Sequence, residues 1–179
     1  MDFCYKSPSF FIFIFHMYTL RPIQATDNVA LAQIIRQVSA EFGLAAESGF
    51  AVADPILDNL YAVYTQSNAM YWVVENQHGE ILGGGGLSPL MGAADILEIH
   101  KMYILSKVRG LGFAKRILQL GFDFAQQHGF NACYLETTKD LWQAVKLYEK
   151  LGFKHLSQPM GHTGHSHACE IWMKKELNH

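Results

Sequence analysis

Residues 97 to 114, LEIHKMYILSKVRGLGFA, restrict the fold more than any other stretch of the chain. Leu97, Ile99 and the run Met102 to Leu105 are strand-like, Arg109-Gly110-Leu111-Gly112-Phe113-Ala114 turns the chain, and helical periodicity follows. A strand that feeds a helix through glycines gathers free backbone N–H groups at the positive end of a helix, which is an anion site suited to phosphate. Glycine serves such a turn because a side chain would block the ligand and because the turn often needs φ > 0. A Walker-type loop is excluded, since no Gly-Lys-Ser/Thr ends the segment. The dinucleotide fingerprint G-x-G-x-x-G fails as well, because Lys115 stands where the third glycine belongs. Arg-x-x-Gly-x-Ala does fit, as Arg109, Gly112 and Ala114. Taken alone, the same hexapeptide also reads as a glycine turn with a solvated Arg and Lys.

Half of the 179 residues are hydrophobic and the net charge is −2, which suits one domain with ample surface to bury. That charge gives no electrostatic footprint for nucleic acid. Cys4, Cys133 and Cys169 are widely spaced and odd in number, so neither a disulfide framework nor a cysteine-rich metal site is expected, and a reducing cytoplasm is. Ser9 to Phe15, SFFIFIF, is far shorter than the roughly 20 apolar residues of a membrane span, and no small-x-small cleavage site follows it. Residues 1–16 therefore read as an extension, and 17–179 as a single working domain with no membrane partner.

Helical and strand-like patterns alternate, so an α/β layered fold is expected. Tyr18 to Ile23 reads as a first strand. Leu31, Ile34, Ile35, Val38 and Phe42 repeat at helical spacing and stop at Gly43. Asp54-Pro55 opens a second helix with Ile56, Leu57, Leu60, Tyr61 and Tyr64 on its apolar face. Met70 to Glu75 and Ile81 onward form a hairpin around Asn76 to Gly79. Gly83 to Gly86 reads either as a flexible loop or as a strand closely approached by another backbone. Beyond the central strand and its turn, Phe113, Ile117, Leu120, Gly121, Phe124 and Ala125 mark a helix closed by Gly129. Phe130 to Thr137 is a strand, Asp140 caps a helix buried through Leu141, Ala144, Val145, Tyr148 and Leu151, Phe153 opens a further strand, and Ala168 to Met173 is the last one.

The Arg109, Gly112, Ala114 turn resembles the pyrophosphate-binding signature Q/R-x-x-G-x-G/A of the GNAT superfamily of N-acetyltransferases. One strand later, Ala144-x-x-Leu147-Tyr148-Glu149-x-x-Gly152-Phe153 resembles the superfamily's A-x-x-L-Y-x-x-x-G-F. The order of elements matches too, from about Met17 to Leu177. Leu141 departs from the pattern, since many members carry Asn there. Thr163 to Ser166 followed by Trp172-Met173 resembles a subgroup whose members are sometimes fused to MarR-type domains. The resemblance implies a mixed, mostly antiparallel sheet flanked by helices, acetyl-coenzyme A as cosubstrate, an amine acceptor and a common dimeric state. It also implies that the main chain at Met102, Tyr103 and Ile104 pairs with the pantetheine arm, and that Arg109, Gly110, Gly112, Phe113 and Ala114 hold the pyrophosphate.

Acetyl transfer to an amine needs a base, because an ammonium ion with a pKa of about 10 has no lone pair. It also needs donors for the carbonyl oxygen and a partner for the leaving thiolate. Glu98 is the candidate base by resemblance, and as a residue type it reads equally as a strand carboxylate paired with lysine. His100 shares its strand face and titrates nearer neutrality. Tyr148, at the motif tyrosine, is the candidate acid, with a core aromatic as the bland reading. His162, His165 and His167 have a spacing that could bind zinc or nickel, but no metal is expected and a loop lining the acceptor site is favoured by resemblance. The expectation is transfer to a small-molecule primary amine by direct attack. The alternatives are a protein lysine or N-terminus as acceptor, and a non-catalytic acyl-coenzyme A-binding module.

Overall fold

The computed structural model describes residues 17–44, 54–163 and 168–177. The extension reading of residues 1–16, the loop carrying Glu47 and Ser48, and His165 and His167 lie outside the described residues.

Among the described residues, seven strands form one sheet. They are β1 (Tyr18–Pro22), β2 (Met70–Asn76), β3 (Ile81–Pro89), β4 (Ile96–Ile104), β5 (Ala132–Thr137), β6 (Lys154–His155) and β7 (Ile171–Glu176). Their spatial order is β1-β2-β3-β4-β5-β7-β6, antiparallel at every junction except β4–β5, which is parallel. The parallel pair needs a crossover, and α3 (Phe113–Gln127) provides it. Before it stand α1 (Asn28–Glu41) and the short α2 (Leu60–Tyr64), and after it α4 (Trp142–Lys150). Leu31, Ala32 and Ile35 of α1 pack with Leu60, Tyr64, Tyr71 and Val73 on one face of the sheet. Ile117, Leu118 and Ala125 of α3 pack with Leu87, Leu97, Ile99 and Leu135 on the other.

The glycine run is strand, and closely approached on both faces. A Cβ on Gly84 would come within 2.4 Å of the Tyr71 ring and 2.5 Å of the Trp72 carbonyl oxygen, and one on Gly86 within 2.5 Å of the Tyr64 ring. Gly85 faces the other way, toward Met102 and Ile117.

Four local expectations need correction. The second helix is broken. Asp54 does cap its start, accepting from the Ile56 N–H at 3.0 Å, but Pro55–Asn59 is a 3-10 turn. Asn59, at φ −140° and ψ 47°, separates that turn from α2. Asp140 is not the cap of α4, because Lys139–Leu141 forms another 3-10 turn and α4 starts only at Trp142. Of the expected apolar face of α4, only Tyr148 is buried; Leu141 and Ala144 are half-buried and line a cleft, while Val145 and Leu151 are half-buried against the core. The last strand lies three residues later than its apolar run, at Ile171–Glu176, where Trp172 pairs with Glu136 and Lys174 with Tyr134. Its lysines are compatible with a strand because the long stem can lie along the sheet, with Lys175 Nζ reaching 5.4 Å from the centre of the Phe122 ring.

Candidate active site

The site is built where β4 changes partners. Its pairing with β5 covers only Ile96 to Ile99 against Ala132 to Leu135. Beyond Ile99 the two strands part, and a cleft of about 580 Å³ opens between the far end of β4 with its following turn and α4. Met102, Tyr103, Ile104, Arg109, Gly110, Gly112, Phe113 and Ala114 all line it, together with Leu141, Ala144, Leu147 and Tyr148 of the opposite wall. On its inner edge β4 still holds β3, with the Leu105 N–H donating to the Leu82 carbonyl at 3.0 Å. Backbone groups alternate along a strand, so Ile104 presents its N–H to the open edge. Its carbonyl there accepts a 2.7 Å bond from Arg109 Nε.

Strict alternation along β4 fails at one point. Gly84 pairs with Tyr103 but Gly86 pairs with His100, so Lys101 and Met102 together stand opposite Gly85. This is a bulge, with Lys101 at φ 55°. One extra residue moves every later side chain to the other face. Met102 therefore joins Leu97 and Ile99 on the α3 side, while Glu98, His100 and Lys101 face the α1 side.

Gly110 (φ 75°) and Gly112 (φ 93°) form the turn into α3, and a Cβ on either would meet nothing within 4 Å. The backbone is thus exposed to the cleft with room for a ligand group beside it. The N–H groups of Phe113, Ala114 and Lys115 precede the first helical bond, from Arg116 to the Gly112 carbonyl at 3.0 Å. These groups fit a pyrophosphate at a helix N-terminus. The Arg109 side chain points elsewhere than a free anion ligand would. Besides Ile104 it holds Glu41 at 2.6 Å and lies 5.2 Å from the centre of the Phe42 ring, joining the end of α1 to the turn. Lys107 is paired with Glu80, whereas Lys115 borders the cleft.

A smaller pocket of about 80 Å³ adjoins the cleft. Met102, Tyr103, Leu141 and Tyr148 border both spaces. His100, Glu136, Thr137, Thr138 and Cys169 line only the smaller one. His100 Nε2 lies 2.9 Å from Ser88 Oγ. Glu98 is buried and borders neither space, yet its charge helps raise the pKa values of Tyr64, Tyr134 and Cys169. Tyr148 is 8% exposed, and burial pushes its phenol up to about 12.

Sequence reasoning overlooked Cys169, Glu136 and Lys101 as pocket residues. No motif carries them. No cysteine stands at a nucleophile's place in either signature, but Cys169 lines the smaller pocket. Burial, followed by Glu136, Glu170 and Glu98, raises its thiol to about 12, so it is the opposite of an activated nucleophile.

A sequence model described as the Acetyltransferase (GNAT) family matches residues 36–153. The uncharacterized N-acetyltransferase YjgM of Escherichia coli is 50% identical over 159 residues, covering 88% of this chain and 94% of its own length. The crystal structure of a GNAT-family acetyltransferase from Staphylococcus aureus superposes with a TM-score of 0.76 at 19% identity, over 90% of this chain and 99% of its own. That of spermidine N-acetyltransferase from Vibrio cholerae, in complex with CoA and spermine, gives 0.61 at 20% identity, over 90% and 96%. The chain belongs to the GNAT family, and it is an acetyl-transferring enzyme of the N-acetyltransferase type with that family's mixed α/β fold. Among the described residues no helix is long and apolar enough to cross a membrane.

Proposed function

We propose that the enzyme moves acetyl from acetyl-coenzyme A to a primary amine of a small molecule by direct attack. The observation that carries this reading is the position of Tyr148 on the wall shared by the long cleft and the small pocket. A donor laid along the open edge of β4, with its pyrophosphate on the Gly110–Ala114 turn, brings its sulfur end toward that wall. The bound thioester supplies the activated acetyl group.

The chain's own groups then meet the three demands of the reaction. His100 borders the small pocket and accepts the ammonium proton, with Glu98 on the same strand face. The main chain at Met102 to Ile104 lies along the acyl end and offers donors to the carbonyl oxygen. Tyr148 holds its phenol proton toward the leaving sulfur. The C–N bond forms as the C–S bond breaks, the surplus proton on the attacking nitrogen passes to the leaving thiolate, and no covalent enzyme intermediate is needed. The raised pKa of Cys169 supports that economy, because a thioacyl relay would require its thiolate.

A calorimetric titration with acetyl-coenzyme A, with NAD as control, followed by thiol release across an amine panel, tests this function. Saturable binding of the thioester alone and turnover with small amines support it. Absence of binding by folded protein overturns the cleft assignment. Transfer to peptides but to no small amine overturns the acceptor class, and tight binding without any transfer overturns the catalytic reading.

A further inference from the structure

The most unusual contact near the site lies outside the cleft. Lys101, the bulge residue, keeps a left-handed backbone conformation that lysine rarely adopts. Its side chain is 3% exposed, and Nζ donates to Asp54 Oδ2 at 2.6 Å. The bulge carbonyl is tied separately, since Tyr71 Oη donates to the Lys101 oxygen at 2.9 Å. Asp54 is fixed in turn through Oδ1, which caps the 3-10 turn at the Ile56 N–H. One strained residue is thus held from two directions, by an ion pair from a buried ammonium to the half-buried Asp54 before α2 and by a hydroxyl from β2.

A strained backbone persists only where its surroundings over-determine it. Here the bulge decides which way the next residues face, and Met102 to Ile104 form the acyl end of the cleft. We infer that Asp54 and Lys101 act as a positioning pair that locks the β4 bulge and so aims the main chain of Met102, Tyr103 and Ile104 at the acyl donor. Neither residue needs to touch the reacting atoms. The inference rests on the reading of the cleft as the acyl-donor site, and it adds to that reading two residues outside both signatures.

Three single variants and one double variant test it. Asp54→Asn keeps an oxygen for the Ile56 N–H and removes the charge. Lys101→Met removes the ammonium, and Lys101→Arg keeps a cation within reach of Asp54. In the free protein, amide exchange at Tyr103 is expected to quicken about tenfold in Asp54→Asn and Lys101→Met and to stay near wild type in Lys101→Arg. In turnover, kcat is expected to fall about tenfold in the first two while KM for acetyl-coenzyme A moves less than about threefold, with Lys101→Arg restoring much of the loss. The double variant Asp54→Asn/Lys101→Met removes the unpaired charge, so its melting temperature recovers while kcat stays low.

Unchanged kcat in the single variants overturns the inference, whether or not exchange quickens. Recovery of kcat together with melting temperature in the double variant overturns it as well, because the pair would then serve stability alone. Failure of the wild-type protein to bind acetyl-coenzyme A overturns instead the reading of the cleft, and Tyr103 exchange still decides whether the pair holds the bulge.

Discussion

Tyr148→Phe removes one oxygen from the wall between the two spaces and leaves the ring in place. The ring packs edge-on to Phe153, with centroids 5.8 Å apart, so the fold is expected to keep its melting temperature. The size of the catalytic loss follows from acidity. Burial raises the Tyr148 phenol to about 12, whereas a free thiol lies near about 8.5. The gap is about 3.5 pH units, which at about 1.4 kcal/mol each makes full proton transfer to a thiolate uphill by about 5 kcal/mol. In the proposed reaction Tyr148 is therefore expected to act as a hydrogen-bond donor to developing negative charge and to keep its proton. A hydrogen bond to a charged acceptor contributes about 1.5–3 kcal/mol, so kcat is expected to drop about ten- to hundredfold. Affinity for acetyl-coenzyme A is expected to hold, since the pyrophosphate and pantetheine contacts are elsewhere. Stopped thiol-release assays at saturating acceptor, paired with calorimetry, measure both quantities. A kcat equal to wild type removes Tyr148 from the mechanism. A loss beyond about ten-thousandfold would show a phenol that delivers its proton outright, and the acidity argument would be wrong.

Gly84→Ala would drive a Cβ into the Trp72 carbonyl oxygen on the paired strand, which cannot move aside. The expected cost is about 1–3 kcal/mol, read as a fall of several degrees in melting temperature by calorimetry, and an unchanged value would contradict the close approach. Cys169, with its thiol raised to about 12, is expected to react with iodoacetamide at neutral pH far more slowly than in unfolded protein, and Cys169→Ala is expected to turn over like wild type. An acetyl group trapped on Cys169 during turnover would refute direct attack. Burial alone would raise the Asp54 carboxyl, but Lys101 and the Ile56 N–H outweigh it and hold it below the ordinary carboxylate value. A depressed pKa stabilises the fold above the unfolded value, near about 4, and that contribution disappears as pH falls through the folded one. The stability gap between wild type and Asp54→Asn is thus expected to close on acidification below about pH 4, and urea unfolding at stepped pH would expose a gap that instead stays constant.

The succession of strands and helices and the turn that lines the cleft were largely legible because they rest on main-chain features with strong local signatures. Glycines at Gly110 and Gly112 announce the turn, and the resemblance to the family signature at Ala144, Leu147 and Tyr148 points to its opposite wall. What the sequence hid is long-range. The Asp54–Lys101 pair joins residues 47 positions apart, and nothing local marks a lysine that will adopt a left-handed conformation. The bulge also breaks the two-residue period on which face assignments depend, so Met102 could not be told from Lys101 by counting. Arg109 shows the converse limit. Its motif position implies an anion ligand, yet its guanidinium is engaged by Ile104 and Glu41. The late start of β7 has no local mark, because the apolar run ends at Met173 while the strand continues through Lys174 and Lys175, for each of which β5 supplies a partner.

The glycine strand also bears on the order in which the protein assembles. The β2–β3 hairpin is the most local pairing in the sheet, and short-range contacts ordinarily form early. Yet Gly83 to Gly86 lose more backbone freedom on ordering than any other residues would, and they bring no side chains of their own to the pairing. What holds this strip is supplied from elsewhere, by Tyr64 and Tyr71 on one face and by Met102 and Ile117 on the other. The middle of β3 is therefore a poor nucleus and a late arrival, ordered only once both flanking layers have closed over it.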